Sequence, residues 1–170
     1  MNLKRIVRWI GPIDDKQAAE TMNKMAELPP SKEPIRLFIC SGGGLAGVGL
    51  AFYNYVRSLR LNLETIAVGD VSSAAILVWL AGEPRFVTPR TTMLAHPVRL
   101  SMKDVGAIEV EETGALRERG ALWSKSVMDI MTANSHGQLD RKRISSIVRR
   151  RKVFTPQELV DLKLADKIYE

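Results

Sequence analysis

Through the first half of this chain a strand-like hydrophobic period gives way to a helix-like one three times in succession, and that alternation limits the folds open to it. "KRIVRWIG" alternates apolar with basic residues and predicts a strand. Asp14, with Gln17 three positions on, opens a helix that "LPP" stops. "IRLFIC" is a second strand, and after "SGGG" the apolar residues Leu50, Tyr53, Val56 and Leu59 recur at helical spacing. "LETIAV" reads as a buried strand and "SAAILVWLA" as the helix that follows it. Strand, crossover and strand repeated in this way predict the α/β class: a mostly parallel sheet, covered by helices and wound with right-handed crossovers. Ligands of such sheets collect at the carboxyl ends of the strands. The two glycine-bearing turns, "SGGG" and "GDVSS", lie at such ends and can face one another across a crevice.

The second half is more helical. Short strands are expected around "RFV" and "TMLAH", then a long helix from about Lys103 to Ala133, stopped near "SHG". "DRKRISSIVRR" carries another helix. "TPQE" is a capping box with proline at the first helical position, and "ADKIYE" closes the chain as a strand. With 170 residues and no internal repeat or low-complexity linker, residues 1–170 are expected to form a single domain. The longest nearly uninterrupted apolar run, Ala74 to Ala81, falls far short of the roughly 20 residues that span a bilayer, so no membrane crossing is expected. The N-terminus lacks the apolar stretch and cleavage site of a signal peptide, which makes a cytoplasmic protein the simplest expectation.

One cysteine, Cys40, cannot form an internal disulfide, and two histidines far apart offer no metal-ligand spacing; no metal or cofactor is expected. The formal net charge is +6, but the basic residues are spread along the chain. Their densest runs, Arg141–Arg143 and Arg149–Lys152, come with no recognition motif or aromatic interleaving. They read as a solvated or subunit-facing helix surface, and a nucleic-acid partner is not expected.

Gly42, Gly43 and Gly44 remove every Cβ from a strand-to-helix turn, so main-chain N–H groups can approach a bound atom closely. The spacing fits neither G-x-x-x-x-G-K-[ST] nor a dinucleotide fingerprint with its partnering acid. A phosphate, a tetrahedral oxyanion and a plain tight turn all remain open. Ser73 falls at the first turn of a helix, where the positive end of the dipole favours developing negative charge. Taken alone, a serine there is more often an N-cap, a role that Ser72 could fill equally well. His96 ends a strand with proline immediately after it, which brings its imidazole to an edge. His136, in a helix-ending "SHG", reads as a cap or an exposed residue, and Trp9, Trp79, Trp123 and the methionines as packing in the core or between subunits.

As a set these residues resemble one family. "RLFICSGGGLAGVGLAFY" resembles the Asn-Ser-Pro-Gly-Gly stretch and following helix of the Clp protease proteolytic subunits, and "IAVGDVSSAAILVWLAG" resembles the segment that carries their serine nucleophile. "RFVTPRTTMLAHP" is similar to the strand and histidine that follow, and the likeness continues through "ANSHGQLDRKRISSIVRR" and "VFTPQELVDLKLADKI". The resemblance implies a ClpP/crotonase-like fold, a repeated β-β-α/βαβ spiral with a long protruding handle helix at about 103–134. It implies a serine peptidase that cleaves peptides or unfolded proteins through an acyl-enzyme. Ser73 would be the nucleophile, His96 the general base, and the N–H groups of Gly44 and Ala74 the oxyanion hole. The handle implies a homo-oligomeric ring. The family's N-terminal segment, which meets an unfolding ATPase, has no counterpart before the first strand, so coupling to such a partner is not expected.

The likeness breaks at one catalytic position. The family's orienting aspartate precedes "F-[ST]-x-x-E-A" by a few residues, and Arg151 stands there in this chain. In a serine protease, losing that carboxylate's charge costs about 10⁴ in turnover. Three arrangements stay open: another acid such as Asp140, Asp104 or Glu109 reaches His96, serine and histidine work as a dyad, or the chain is a catalytically inert scaffold or regulatory subunit. A serine–lysine pair through Lys103 is made unnecessary by the histidine. Cys40 and Gly42 replace the family's asparagine and proline, and Ala75 replaces the glycine two after the nucleophile. A turn unlike G-x-S-x-G argues against an α/β-hydrolase elbow.

Overall fold

Val7 and Trp9 point into the protein and Arg8 and Ile10 away from it, the period-two pattern of a strand with one buried face. That strand, β1 (Ile6–Ile10), begins the computed structural model, which describes residues 5–99 and 110–170. Three crossovers follow through α1 (Asp15–Ala26), β2 (Ile35–Ser41), α2 (Ala46–Ser58), β3 (Leu63–Val71), α3 (Ala75–Leu80) and β4 (Arg85–Val87). Each strand lies parallel beside its predecessor, with Val7 opposite Leu37 and Phe38 opposite Ile66. The sheet order is β1-β2-β3-β4-β7, where β7 (Lys167–Ile168) is the strand expected from "ADKIYE" and runs parallel to β4. Sequential parallel neighbours joined by helices are the parallel, helix-connected sheet that the alternation predicts.

The rest comprises β5 (Met93–Leu94), α4 (Val110–Asn134), α5 (Arg141–Arg149), β6 (Val153–Phe154) and α6 (Pro156–Asp161). β6 pairs antiparallel with β5. It was not anticipated, because two residues cannot display a period. Residues 103–109 of the expected long helix lie outside the described residues; from Val110 onward the helix is present. No helix among the described residues is long and apolar enough to cross a membrane.

Local signals behave as written. The Asp14 side chain accepts the Gln17 N–H at 2.8 Å and starts α1. Thr155 and Glu158 form both halves of the capping box of α6, and Lys152 binds the outer side of Glu158 at 2.6 Å. That hydrogen bond, then the Thr155 N–H, holds the Glu158 carboxyl below its ordinary value. Its contribution is therefore present above the unfolded glutamate pKa and is lost as pH falls through the lowered one. Thr155→Ala is expected to cost about 1 kcal/mol in urea denaturation near neutral pH.

The inward face of α2 differs from expectation. Gly49, Phe52 and Val56 are buried, whereas Leu59 is exposed at the C-cap and Leu50 and Tyr53 are only half-buried. The core chose this face because Phe52 meets Trp9 edge to face, with ring centroids 5.2 Å apart. All six residues of α3 are buried, so this helix has no solvent side at all.

One buried cation ties the halves together. Arg85 is 1% exposed. Its guanidinium donates to Leu164 O at 2.8 Å, Asn134 Oδ1 at 2.9 Å and Asn134 O at 3.2 Å, and its main-chain N–H donates to Asp166 at 2.7 Å. His136 Nε2 lies 3.2 Å from the same guanidinium and must be the acceptor, because arginine only donates. His136 is thus an exposed residue of the turn after α4, as expected, with a structural partner.

Candidate active site

β2 and β3 are parallel neighbours, so the turns after Ser41 and after Val71 leave the sheet at the same edge. They touch. A Cβ on Gly43 would lie 2.6 Å from the Ser73 Cβ and 2.9 Å from Ser72 O, at a φ of +103° that already favours glycine. On its other side the glycine turn is held by Ile13, whose N–H donates to Gly43 O and whose carbonyl accepts the Leu45 N–H. A Cβ on Gly44 would lie 2.3 Å from that carbonyl.

Ser73 has φ +56°, a left-handed conformation that costs a residue with a Cβ about 1–2 kcal/mol. It is not the helix cap, and neither is Ser72. The cap position of α3 is Ala74, with no side-chain hydrogen bond, and the first turn is closed by main-chain bonds from Ala75 and Ile76. Ser72 turns its hydroxyl the other way, accepting the Leu94 N–H and donating to Asp70. Among the described residues the Ser73 hydroxyl has no hydrogen-bond partner, and the N–H groups of Gly44 and Ala74 have no acceptor.

His96 follows β5 by two residues and is half-buried. Its Nδ1 lies 2.7 Å from Pro97 O. A carbonyl only accepts, so Nδ1 carries the proton of the neutral ring and Nε2 is left bare. Ser73, His96, Gly44 and Ala74 all line one cavity of about 810 Å³. Ser73 and His96 are not hydrogen-bonded to one another.

The remaining walls are mostly apolar: Leu45 and Val48 from α2, Ile76 and Leu77 from α3, and a stripe along α4. That stripe, Leu116, Arg119, Trp123, Val127 and Met131, was missed in the sequence. Its spacing of three and four residues was the available signal. Trp9 and Trp79 are core residues as expected, but Trp123 belongs to the cavity, with the Arg119 guanidinium 5.3 Å from its ring centre. Arg99 and Asp15 complete the charged lining.

Arg151 is exposed, at φ +52°, in the turn that closes α5. The next residue, Lys152, accepts the Ala95 N–H through its carbonyl, so this segment does run beside the one bearing His96. Asp140 is occupied as the cap of α5, accepting the Arg143 N–H at 2.7 Å. Lys103, Asp104 and Glu109 lie outside the described residues. Among the described residues no carboxylate hydrogen-bonds His96, and no group of three acids, histidines or cysteines could hold a metal.

Comparison with known proteins bears on the family and the fold. The family model described as Clp protease matches residues 1–170. The solved structure of a mutant ClpP1 from Listeria monocytogenes aligns with a TM-score of 0.83 at 20% sequence identity, covering 98% of this chain and 92% of that one.

Proposed function

Because the chain belongs to the Clp protease family, we propose that it is a serine peptidase acting through Ser73 and His96. Ser73 Oγ attacks the scissile carbonyl while the bare Nε2 of His96 takes its proton. The N–H groups of Gly44 and Ala74 receive the oxyanion, and the imidazolium returns the proton to the leaving amine. Water then repeats the sequence on the acyl-enzyme. Pro97 O takes the place of an orienting acid: it fixes the tautomer but contributes a dipole instead of a full charge, so turnover is expected to be slower than with a complete triad. The apolar walls suit a peptide with an apolar side chain next to the cleaved bond.

The observation that carries this reading is the strained Ser73, whose hydroxyl has no partner among the described residues, lining one cavity with His96 and two main-chain N–H groups that have no acceptor there among the described residues. Strain of this kind persists where the surroundings hold it, and it clusters at reacting groups. A fluorophosphonate probe is expected to label the wild-type chain at Ser73 and to leave Ser73→Ala unlabelled, as read by peptide mass spectrometry. Absence of labelling and of peptide turnover between about pH 6 and 9, the range in which histidine becomes neutral, would exclude the mechanism.

The second reading is a catalytically inert Clp-like scaffold or regulatory subunit. Arg151 at the orienting position and the absence of a bond between Ser73 and His96 favour it. Assembly is expected under both readings. On α4, Glu112–Ala115, Arg117–Arg119 and Ala121–Leu122 are exposed, so the first half of the helix packs little against its own chain. We assign that half the role of a handle between copies in a homo-oligomeric ring.

A further inference from the structure

We propose that Ser72 is a positioning residue: its hydroxyl is the rung that keeps the segment bearing His96 in register with Ser73. The inference rests on the peptidase reading above. Residues 69–73 and 92–94 are zipped in parallel fashion. Thr92 N–H donates to Gly69 O at 2.9 Å, Val71 N–H to Thr92 O at 2.9 Å, and Ser73 N–H to Leu94 O at 2.9 Å. In a parallel ladder the remaining rung would run from Leu94 N–H to the carbonyl of Val71. It runs instead to Ser72 Oγ, at 2.9 Å.

The substitution has a physical reason. β3 ends at Val71 and the backbone takes a left-handed turn at Ser73, and a side chain takes over the rung where the main chain turns off. The Ser72 proton is committed to Asp70 Oδ1, which turns a lone pair toward Leu94. Ser72 is 5% exposed, and its own N–H donates to Ser41 O at 3.0 Å. The end of β2, the nucleophile turn and the strand leading to His96 therefore meet on this one residue. Leu94 stands two residues before His96, so without the hydroxyl the bond from Ser73 is the only rung left at Leu94 itself, the others lying further back at Thr92.

The test uses the full chain, a fluorophosphonate probe and a fluorogenic peptide with an apolar residue before the cleaved bond. Ser72→Ala is expected to lower both kcat and the rate of Ser73 labelling by about 10–100-fold with KM within about twofold, the signature of a displaced reacting group. Ser72→Thr, which keeps the hydroxyl, is expected to recover activity to within about threefold, and Asp70→Ala, which frees the hydroxyl to rotate, to lose about three- to tenfold. The Leu94 amide should exchange with solvent at least about tenfold faster in Ser72→Ala. Should Ser72→Ala fail to fold, Asp70→Ala carries the decision. A wild type that labels while Ser72→Ala, or in that case Asp70→Ala, labels equally fast overturns this inference alone. A wild type that neither labels nor turns over overturns the peptidase reading and this inference with it.

Discussion

Replacing Ser73 with glycine is expected to lower peptide hydrolysis by about 10⁴-fold or more while leaving the chain slightly more stable than wild type. The loss follows from removing the attacking hydroxyl. The gain follows from φ +56°, which costs serine about 1–2 kcal/mol and glycine almost nothing. Glycine's extra freedom in the unfolded chain takes back about 0.5–1 kcal/mol, leaving a net gain of up to about 1.5 kcal/mol. For a chain of this length that is a rise of up to about 6 °C in Tm. Ser73→Ala removes the same hydroxyl but keeps the strain, so it should be inactive without the gain. The pair separates chemistry from conformation: a Ser73→Gly protein that melts lower than Ser73→Ala would mean that the turn is not held under strain.

Arg85→Ala is expected to destabilise the fold by about 3–5 kcal/mol, measured by urea denaturation. The guanidinium is not paired in a simple salt bridge. It is spread over the carbonyls of Leu164, Gly82 and Asn134, the side chain of Asn134 and His136 Nε2, so truncation leaves five acceptors without it around a void. Burial pushes the Arg85 pKa down, with the charge of Asp166 opposing it, yet an arginine stays protonated throughout the working range. The charge of Arg85 itself therefore adds no pH dependence to the loss between about pH 6 and 9. Arg85→Lys should recover only part of it, because an ammonium cannot span the same fork of acceptors. The consequence reaches the cavity: Arg85 anchors the end of α4, and the same helix supplies Trp123, Val127 and Met131 to the cavity wall.

How much of this could be read beforehand depended on how local each cause was. The caps at Asp14 and Thr155 are decided by three or four consecutive residues, and both formed as written. The parallel direction of the first four strands was equally legible, because a parallel sheet needs long crossovers and the chain supplies a helix for each. The inward face of α2 was not legible, since Phe52 rather than Leu50 or Tyr53 became buried only when Trp9 was there to meet it. Nor was the fate of the two serines. A serine before a helix ordinarily caps it, but here Leu94, more than twenty positions downstream, claims the Ser72 hydroxyl, and the Ser73 hydroxyl has no partner among the described residues.

By itself, then, the chain's amino-acid order determined where the first four strands, the helices and the glycine turns would fall, and that the serine and glycine turns would leave the sheet together, because periodicity and backbone freedom are properties of neighbouring residues. Tertiary structure alone decided that Gly43 would abut Ser73, that Leu94 would claim the Ser72 hydroxyl, and that Trp123 would face the cavity rather than the core. Those outcomes turn on which groups remote along the chain arrive within hydrogen-bonding or van der Waals distance, and packing, not local preference, sets that.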